Sequence, residues 1–118
     1  MKKNKQATPA RITPGTRPDW RPILEACCEV LGVKPDDIIA GNKSPYMADR
    51  RHIIYKELWG AGYSSREVGI MLNRADSTVR TGTTAYYKYY RYDPGFRAMA
   101  RAAEAAVEAL LITENVVL

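Results

Sequence analysis

The sequence contains few of the residues on which catalytic and metal-binding sites usually depend. Its 118 residues include one histidine, His52, and two cysteines, the adjacent Cys27 and Cys28. A single histidine without companion ligands or a nucleophile predicts neither a metal site nor general-base catalysis. Adjacent cysteines on a helix point apart and do not readily bridge, so both are interpreted as reduced core residues. We therefore expect no enzyme, no cofactor and no metal.

Long apolar segments are also lacking. No apolar run in the sequence approaches the roughly 20 residues that span a bilayer. The lysines at the N-terminus are followed by polar residues and proline rather than by the apolar core of a secretory signal. A chain of this length forms one domain with little room for an enclosed substrate pocket. These features predict a cytoplasmic protein with no membrane contact.

The charges of the chain are segregated along the sequence. The net charge of +5 combines two basic segments, residues 1–21 and 43–91 with +5 each, and two acidic segments, residues 22–42 with −3 and 92–118 with −2. Segregation of this kind favours a polyanionic partner. A solvated charged surface without any partner gives the same pattern, and the charge alone leaves both interpretations open.

Apolar residues recur at spacings of three and four along most of the chain, which predicts an all-α fold. We expect a flexible basic arm over residues 1–18, a helical domain of five to six helices over 19–111, and a short apolar tail over 112–118. The predicted helices cover about residues 19–31, 35–40 and 46–60, two turns after 64–67, then 76–92 and 96–111.

The spacing also predicts which side of each helix is buried. In the first helix, the apolar face includes Cys27 and Val30. In the third helix, Leu58 lies on the inner stripe, whereas Arg50 and Arg51 lie away from it and are candidate DNA contacts.

The segment between residues 63 and 90 has the sequence layout of a helix-turn-helix. Ser64 and Glu67 fit a capping box at the start of a two-turn helix. Asn-Arg-Ala at 73–75 breaks that helix, and Asp-Ser-Thr at 76–78 is a capping run for the next one. In a helix-turn-helix, the second helix enters the major groove of DNA by its N-terminal end. Two capped helices that only pack together give the same local signature.

The first turn of this second helix carries side chains suited to base edges. The hydroxyls of Ser77, Thr78 and Thr81 suit bases or phosphates, and Arg80 suits the O6 and N7 atoms of guanine. Asp76 either caps the helix, which is the favoured interpretation, or accepts a hydrogen bond from cytosine N4.

Further basic residues flank this turn. Arg66 and Arg74 are candidate phosphate contacts. Lys88 is another, although a basic residue near a helix C-terminus is equally favoured by the helix dipole. The tyrosines at 86, 87, 89, 90 and 92 suggest a stacking surface for single strands. The alternative is a helix that is half core and half rim, with Tyr86 and Tyr90 turned inward.

Three segments together resemble the C-terminal DNA-binding domain of the bacterial chromosomal replication initiator DnaA, a Trp-repressor-like helix-turn-helix. They are CCEVLGVKPDDIIAG at 27–41, DRRHIIYKELWGAGYSSREVG at 49–69 and NRADSTVRTG at 73–82. The resemblance extends from about residue 23 to residue 96. The sequence departs from the family where Ala75-Asp76 replaces an Asp-His pair. It also has no glycine-rich phosphate loop, so the ATPase module of the initiator is missing.

The resemblance implies roles for individual residues. Lys43 and Arg50 are implied to act at the DNA backbone or minor groove, and Asp76, Ser77 and Thr78 are implied to face the major groove. We therefore expect a sequence-selective double-stranded DNA-binding protein, either a transcriptional regulator or a replication accessory factor, nucleoid-associated and of bacterial or phage origin. The alternative is a protein-interaction adapter that uses the last helix and the apolar tail.

Overall fold

Six α-helices and no strand make up the part of the chain that the structure describes, which confirms the all-α prediction. The computed structural model describes residues 17–41 and 44–115. The helices are α1 (Trp20–Leu31), α2 (Pro35–Ile39), α3 (Pro45–Gly60), α4 (Ser65–Leu72), α5 (Asp76–Tyr92) and α6 (Pro94–Asn115). Lys43, the first 16 residues of the expected arm and the last three of the expected tail lie outside the described residues. None of the described helices is long and apolar enough to cross a membrane.

Local sequence signals set the ends of α1 and α4. The Asp19 side chain accepts a hydrogen bond from the backbone N–H of Arg21, and Gly32 ends α1 in the left-handed region at φ 72°. The predicted capping box precedes α4. The Ser64 hydroxyl accepts from the Glu67 N–H at 3.1 Å, and the Glu67 carboxylate accepts from the Ser64 N–H at 2.8 Å.

Helix α3 lies at the centre of the fold and contacts all five other helices. Its Ile53, Ile54, Tyr55 and Leu58 side chains are buried. Helix α6 packs mainly on α1, and α5 packs mainly on α3 and α4. The other helices contribute further buried residues to the core, among them Ile23, Leu24, Ile38, Val68, Leu72, Val79, Phe96, Ala103 and Val107.

The buried face of α1 differs from the predicted one at two positions. Val30 is 45% exposed, and Cys28 is buried instead. Both thiols are free, and burial raises the pKa of Cys28 to about 11 and that of Cys27 still further. A thiol with so high a pKa stays protonated at neutral pH, so the two cysteines act as packing residues.

Helix α6 is longer than predicted at both ends. It begins at Pro94, directly after Asp93, whose carboxylate accepts a hydrogen bond from the backbone N–H of Phe96 at 3.0 Å. Proline is favoured in the first turn of a helix because its missing N–H has no partner to lose there. The helix continues to Asn115 because no glycine or proline follows residue 111, so the first residues of the expected tail are helical.

Residues 17 and 18 contact the helical domain, although the sequence predicted them to belong to the arm. Arg17 donates to the Glu67 carboxylate at 2.7 Å and to the Gly62 carbonyl at 3.3 Å. Its guanidinium lies 4.4 Å from the centre of the Tyr63 ring, and the Tyr63 hydroxyl donates to the Pro18 carbonyl. These contacts correct the boundary of the expected arm, because they place its last two residues against the start of α4.

Candidate nucleic-acid interface

A three-residue turn, residues 73–75, joins α4 to α5. Asn73 ends α4 in the left-handed region at φ 58°, and the Arg74 N–H donates to the Gly69 carbonyl at 2.8 Å. A Cβ atom at Gly69 would lie 2.5 Å from the Arg74 carbonyl oxygen. The tight path of the turn therefore requires glycine at position 69.

The inner face of α5 packs closely on α3. A Cβ atom at Gly82 would lie 2.6 Å from the Tyr55 ring and 2.8 Å from the His52 ring. Val79 and Tyr86 are buried on the same side of the helix. The absence of a side chain at position 82 lets α5 approach α3, and this contact decides which side of α5 faces outward.

The outer side of α5 presents a line of exposed polar and basic residues. At about 100° per residue, these positions fall in a narrow strip opposite Val79, Gly82 and Tyr86. The strip consists of Ser77, Thr81, Thr84, Lys88 and Arg91, all of them exposed, and we name it the outward stripe. The stripe carries hydroxyls in its N-terminal part and cations in its C-terminal part. Such an arrangement is suited to a polyanion that also has hydrogen-bonding groups.

The single acid of α5 is bound to a neighbouring cation. Asp76 and Arg80 form an ion pair of 2.7 Å across one turn, with 45% and 60% of their side chains exposed. Ala75 is the N-cap of α5, and no side chain caps the helix, so the expected capping role of Asp76 is corrected. Asp76 is instead the first helical residue, where its carboxylate reaches Arg80 and also complements the positive end of the helix dipole.

Thr78 occupies the opposite flank of the first turn. It borders a cleft of about 480 Å³ between α5, the turn and α3, lined also by Arg51, His52 and Tyr55. Burial lowers the pKa of His52, which keeps its imidazole neutral at physiological pH. In the part of the chain that the structure describes, no three His, Cys, Asp or Glu side chains are grouped as a metal site requires.

Two arginines expected at the DNA have structural roles. Arg51 is 5% exposed, which corrects the expectation that it lies away from the inner side of α3. Its Nε donates to the Ile38 carbonyl at 2.8 Å and its Nη2 to those of Asp37 and Ala40 at 3.0 Å. Arg74 donates through Nη1 and Nη2 to carbonyls at the end of α2 as well. Because these donors serve the backbone, neither arginine is retained as a DNA contact.

The remaining basic candidates differ in exposure. Arg50 is partly buried, with Nε donating to the Leu31 carbonyl at 3.2 Å and the guanidinium 3.6 Å from the centre of the Tyr46 ring. Arg66 is exposed in the first turn of α4. Lys88 is exposed on the outward stripe. The structure therefore brings Asp76, Ser77, Arg80, Thr81 and Lys88 to one side of α5, with Thr78 on its flank.

The sequence prediction missed two exposed residues, one on α5 and one on α4. Thr84 continues the outward stripe, and its spacing of seven from Ser77 and three from Thr81 is the signal that identifies it. Ile70 is 74% exposed on α4. The sequence assigned Ile70 neither to the core nor to the site, because it does not show which side of α4 the other helices leave uncovered.

No protein-family model matches the sequence, no curated protein matches it, and no solved structure matches the chain. The resemblance to the DnaA domain therefore rests on its motifs alone.

Proposed function

We propose that this protein binds double-stranded DNA by placing the N-terminal half of α5 in the major groove, with α4, the turn and α5 acting as a helix-turn-helix. The observation that carries the proposal is the outward stripe, an exposed line of hydroxyls and cations on the second helix of the unit. An α-helix about 10–12 Å across fits a major groove about 12 Å wide.

Base edges are contacted by the first two turns of α5. Ser77 and Thr81 lie on the outward stripe, where a hydroxyl donates to or accepts from a base and a threonine methyl meets the methyl of thymine. Arg80 lies beside them and is held by Asp76 at 2.7 Å, which limits the orientations of its guanidinium. A guanidinium held in this way is suited to the O6 and N7 atoms of guanine.

Cations that lie farther from the first turn of α5 hold the DNA phosphates on either side of the major groove. Lys88 and Arg91 extend the outward stripe toward the C-terminal end of α5, and Arg66 lies in the first turn of α4. Contacts of this kind fix the position of the protein on DNA without reading sequence. Their number sets the salt dependence of binding, at a log–log slope of about −0.9 per neutralised phosphate.

The adapter alternative has less support in the structure. The inner side of α6 is not available to a partner, because it packs on α1 and its Phe96, Ala103 and Val107 side chains are buried in the core. Within the described part of α6, the large apolar side chain that stays exposed is Ile112, at 57%. One such residue gives a much smaller surface than a stable protein interface needs.

Selection of bound duplexes from a random pool tests the proposal. We expect enrichment of a defined site, followed by a higher affinity for that site than for a scrambled duplex in fluorescence-anisotropy titrations. The Ser77→Ala/Thr81→Ala variant should lose discrimination by a factor of about ten, because the two hydroxyl hydrogen bonds together contribute roughly 1–3 kcal/mol. Arg66→Gln and Lys88→Gln should weaken both duplexes equally. A pool that shows no enrichment and duplexes that bind no better than about 10⁻⁴ M would overturn the proposal. Site-selective binding would suit a transcriptional regulator or a replication accessory factor.

A further inference from the structure

The C-terminal end of α5 exposes aromatic rings among cations. Tyr87 is 51% exposed and Tyr92 is 71% exposed, and both line a surface cleft of about 620 Å³ together with Lys88 and Arg91. Tyr86, in the same run, is buried in the core. The tyrosine run is therefore divided between a buried ring and exposed ones, with Tyr87 edge-on to Tyr86 at 5.1 Å between ring centres.

The helical period places the two cations between the two exposed rings. Tyr87 and Tyr92 are five residues apart, which separates them by about 7.5 Å along the helix axis. Lys88 and Arg91 lie on the outward stripe, with one ring on each side of it. The result is two aromatic planes flanking a central pair of positive charges.

One wall of this cleft is fixed. Arg97 at the start of α6 donates to the Tyr90 carbonyl and to the Arg91 carbonyl, both at 2.8 Å. It thereby satisfies carbonyl groups at the end of α5 and adds a positive charge that stays in place. A ligand at this cleft therefore meets a prearranged cationic wall rather than a side chain that must first be ordered.

A duplex held by the first turns of α5 uses this end of the helix only through its phosphates, which Lys88 and Arg91 contact. Paired bases also keep their faces stacked inside the duplex, so they offer no plane to a tyrosine. Unpaired bases offer one, and their phosphates offer the matching negative charge.

We propose that the C-terminal end of α5 binds a single-stranded nucleic acid segment. Bases stack on Tyr87 and Tyr92, while Lys88 and Arg91 hold the intervening phosphates. The site shares Lys88 and Arg91 with the proposed duplex contact and adds the rings of Tyr87 and Tyr92, which the duplex contact does not use. An acidic peptide would use the cations but would gain nothing from the rings, so the two exposed tyrosines favour the nucleic acid.

Titration of the full chain with a fluorescent twelve-residue oligothymidylate at low salt tests the proposal. Tyr87→Ala and Tyr92→Ala should each weaken binding by about fivefold or more, and the double variant by the product of the two factors. Tyr87→Phe/Tyr92→Phe should keep the affinity, because phenylalanine retains the aromatic plane. Tyr46→Ala is the matched control, since Tyr46 is 52% exposed on α3, and it should leave binding unchanged. An oligouridylate of the same length shows whether the strand is DNA or RNA.

Three results would overturn the proposal: no binding of either oligonucleotide, equal affinities for the wild-type protein and the double alanine variant, or displacement by polyglutamate as effective as by unlabelled strand. Equal thermal unfolding midpoints would show that the alanine variants fold. The Ser77→Ala/Thr81→Ala variant separates the two proposals. It should lose discrimination between duplexes and keep its affinity for oligothymidylate, so failure at one site is visible without failure at the other.

Discussion

Arg51 and Arg74 donate hydrogen bonds to the same two carbonyl oxygens, those of Ile38 and Ala40. The last carbonyls of a helix have no partner within the helix, and in the five-residue α2 two guanidinium groups supply the donors. One comes from the central helix α3 and the other from the turn that precedes α5. The end of α2 is therefore joined to the starting point of α5, and these two arginines hold the frame of the proposed interface.

Arg51→Met should destabilise the fold without altering the surface of α5. The substitution removes the hydrogen bonds of Arg51 to α2. Arg74 still donates to the Ile38 and Ala40 carbonyls, whereas the Asp37 carbonyl loses its Nη2 donor. We expect a loss of about 3 kcal/mol in the free energy of unfolding. Urea denaturation measures this loss. Arg66→Met, on an exposed arginine, should change the free energy of unfolding by less than about 0.5 kcal/mol. Equal losses in the two variants would show that the buried contacts of Arg51 contribute no net stability.

Gly69→Ala should distort the turn between α4 and α5. The added methyl would lie 2.5 Å from the Arg74 carbonyl oxygen, which is backbone and moves only with the turn itself. We expect a loss of about 2 kcal/mol in the free energy of unfolding and weaker duplex binding. Gly41→Ala is the matched control, because a Cβ atom there has no heavy atom within 4 Å. If Gly69→Ala were as stable as this control, the close approach would not constrain the turn.

The contacts of Glu67 predict a pH dependence of stability. Burial alone would raise its pKa, but the hydrogen bonds from Arg17 and Ser64 outweigh burial and lower the pKa below 4.5. Because the charged form is favoured in the folded state, its contribution is present above pH 4.5 and is lost as the pH falls through the folded value.

The effect of Glu67 should be small, since 40% of its side chain is exposed. We expect wild type to exceed Glu67→Gln by less than about 1 kcal/mol in the free energy of unfolding at neutral pH. The difference should disappear at an acidic pH below the folded pKa of Glu67, where both side chains are neutral. Urea denaturation of both proteins at the two pH values measures it, and a difference that stays constant would contradict the assigned hydrogen bonds.

Asp76→Asn should strengthen duplex binding while reducing discrimination. The substitution removes the single acid of α5 and releases Arg80 from its 2.7 Å ion pair. We expect about two- to fivefold tighter binding to matched and scrambled duplexes alike, and a smaller ratio between them because Arg80 is no longer held. Glu108→Gln, which makes the same charge change at an exposed site on α6, should have little effect. Weaker binding of the selected site alone would indicate that Asp76 itself contacts a base.

Features set by neighbouring residues were predictable from the sequence. Ser64 and Glu67 form the capping box that their spacing indicated, and Gly32 ends α1. Tyr86 is buried as the helical period required. These signals depend on residues within one turn of each other, so they need no knowledge of the tertiary fold.

Features set by distant partners were not predictable in the same way. Arg51 is buried because α3 is surrounded by the other helices and because its acceptors belong to α2. The sequence placed Asp76 as a cap, whereas in the structure Ala75 holds the cap position and the Asp76 carboxylate pairs with Arg80. The environment of Arg51 was set by the packing of α2 on α3, and that of Asp76 by the competing side chain of Arg80. Helical periodicity shows neither of these partners.

The proposed interface depends on the outward side of α5 more than on the net charge of the protein, and one pair of variants separates these causes. Thr84→Glu places an acid in the middle of the outward stripe, between Arg80 and Lys88, whereas Ala102→Glu places the same acid on the exposed side of α6. We predict that Thr84→Glu weakens binding to the selected duplex by at least about tenfold, through loss of two or more phosphate or base contacts. Ala102→Glu should leave the affinity nearly unchanged. Equal effects of the two substitutions, measured by anisotropy at the same salt concentration, would contradict the assignment of α5 as the DNA-binding helix.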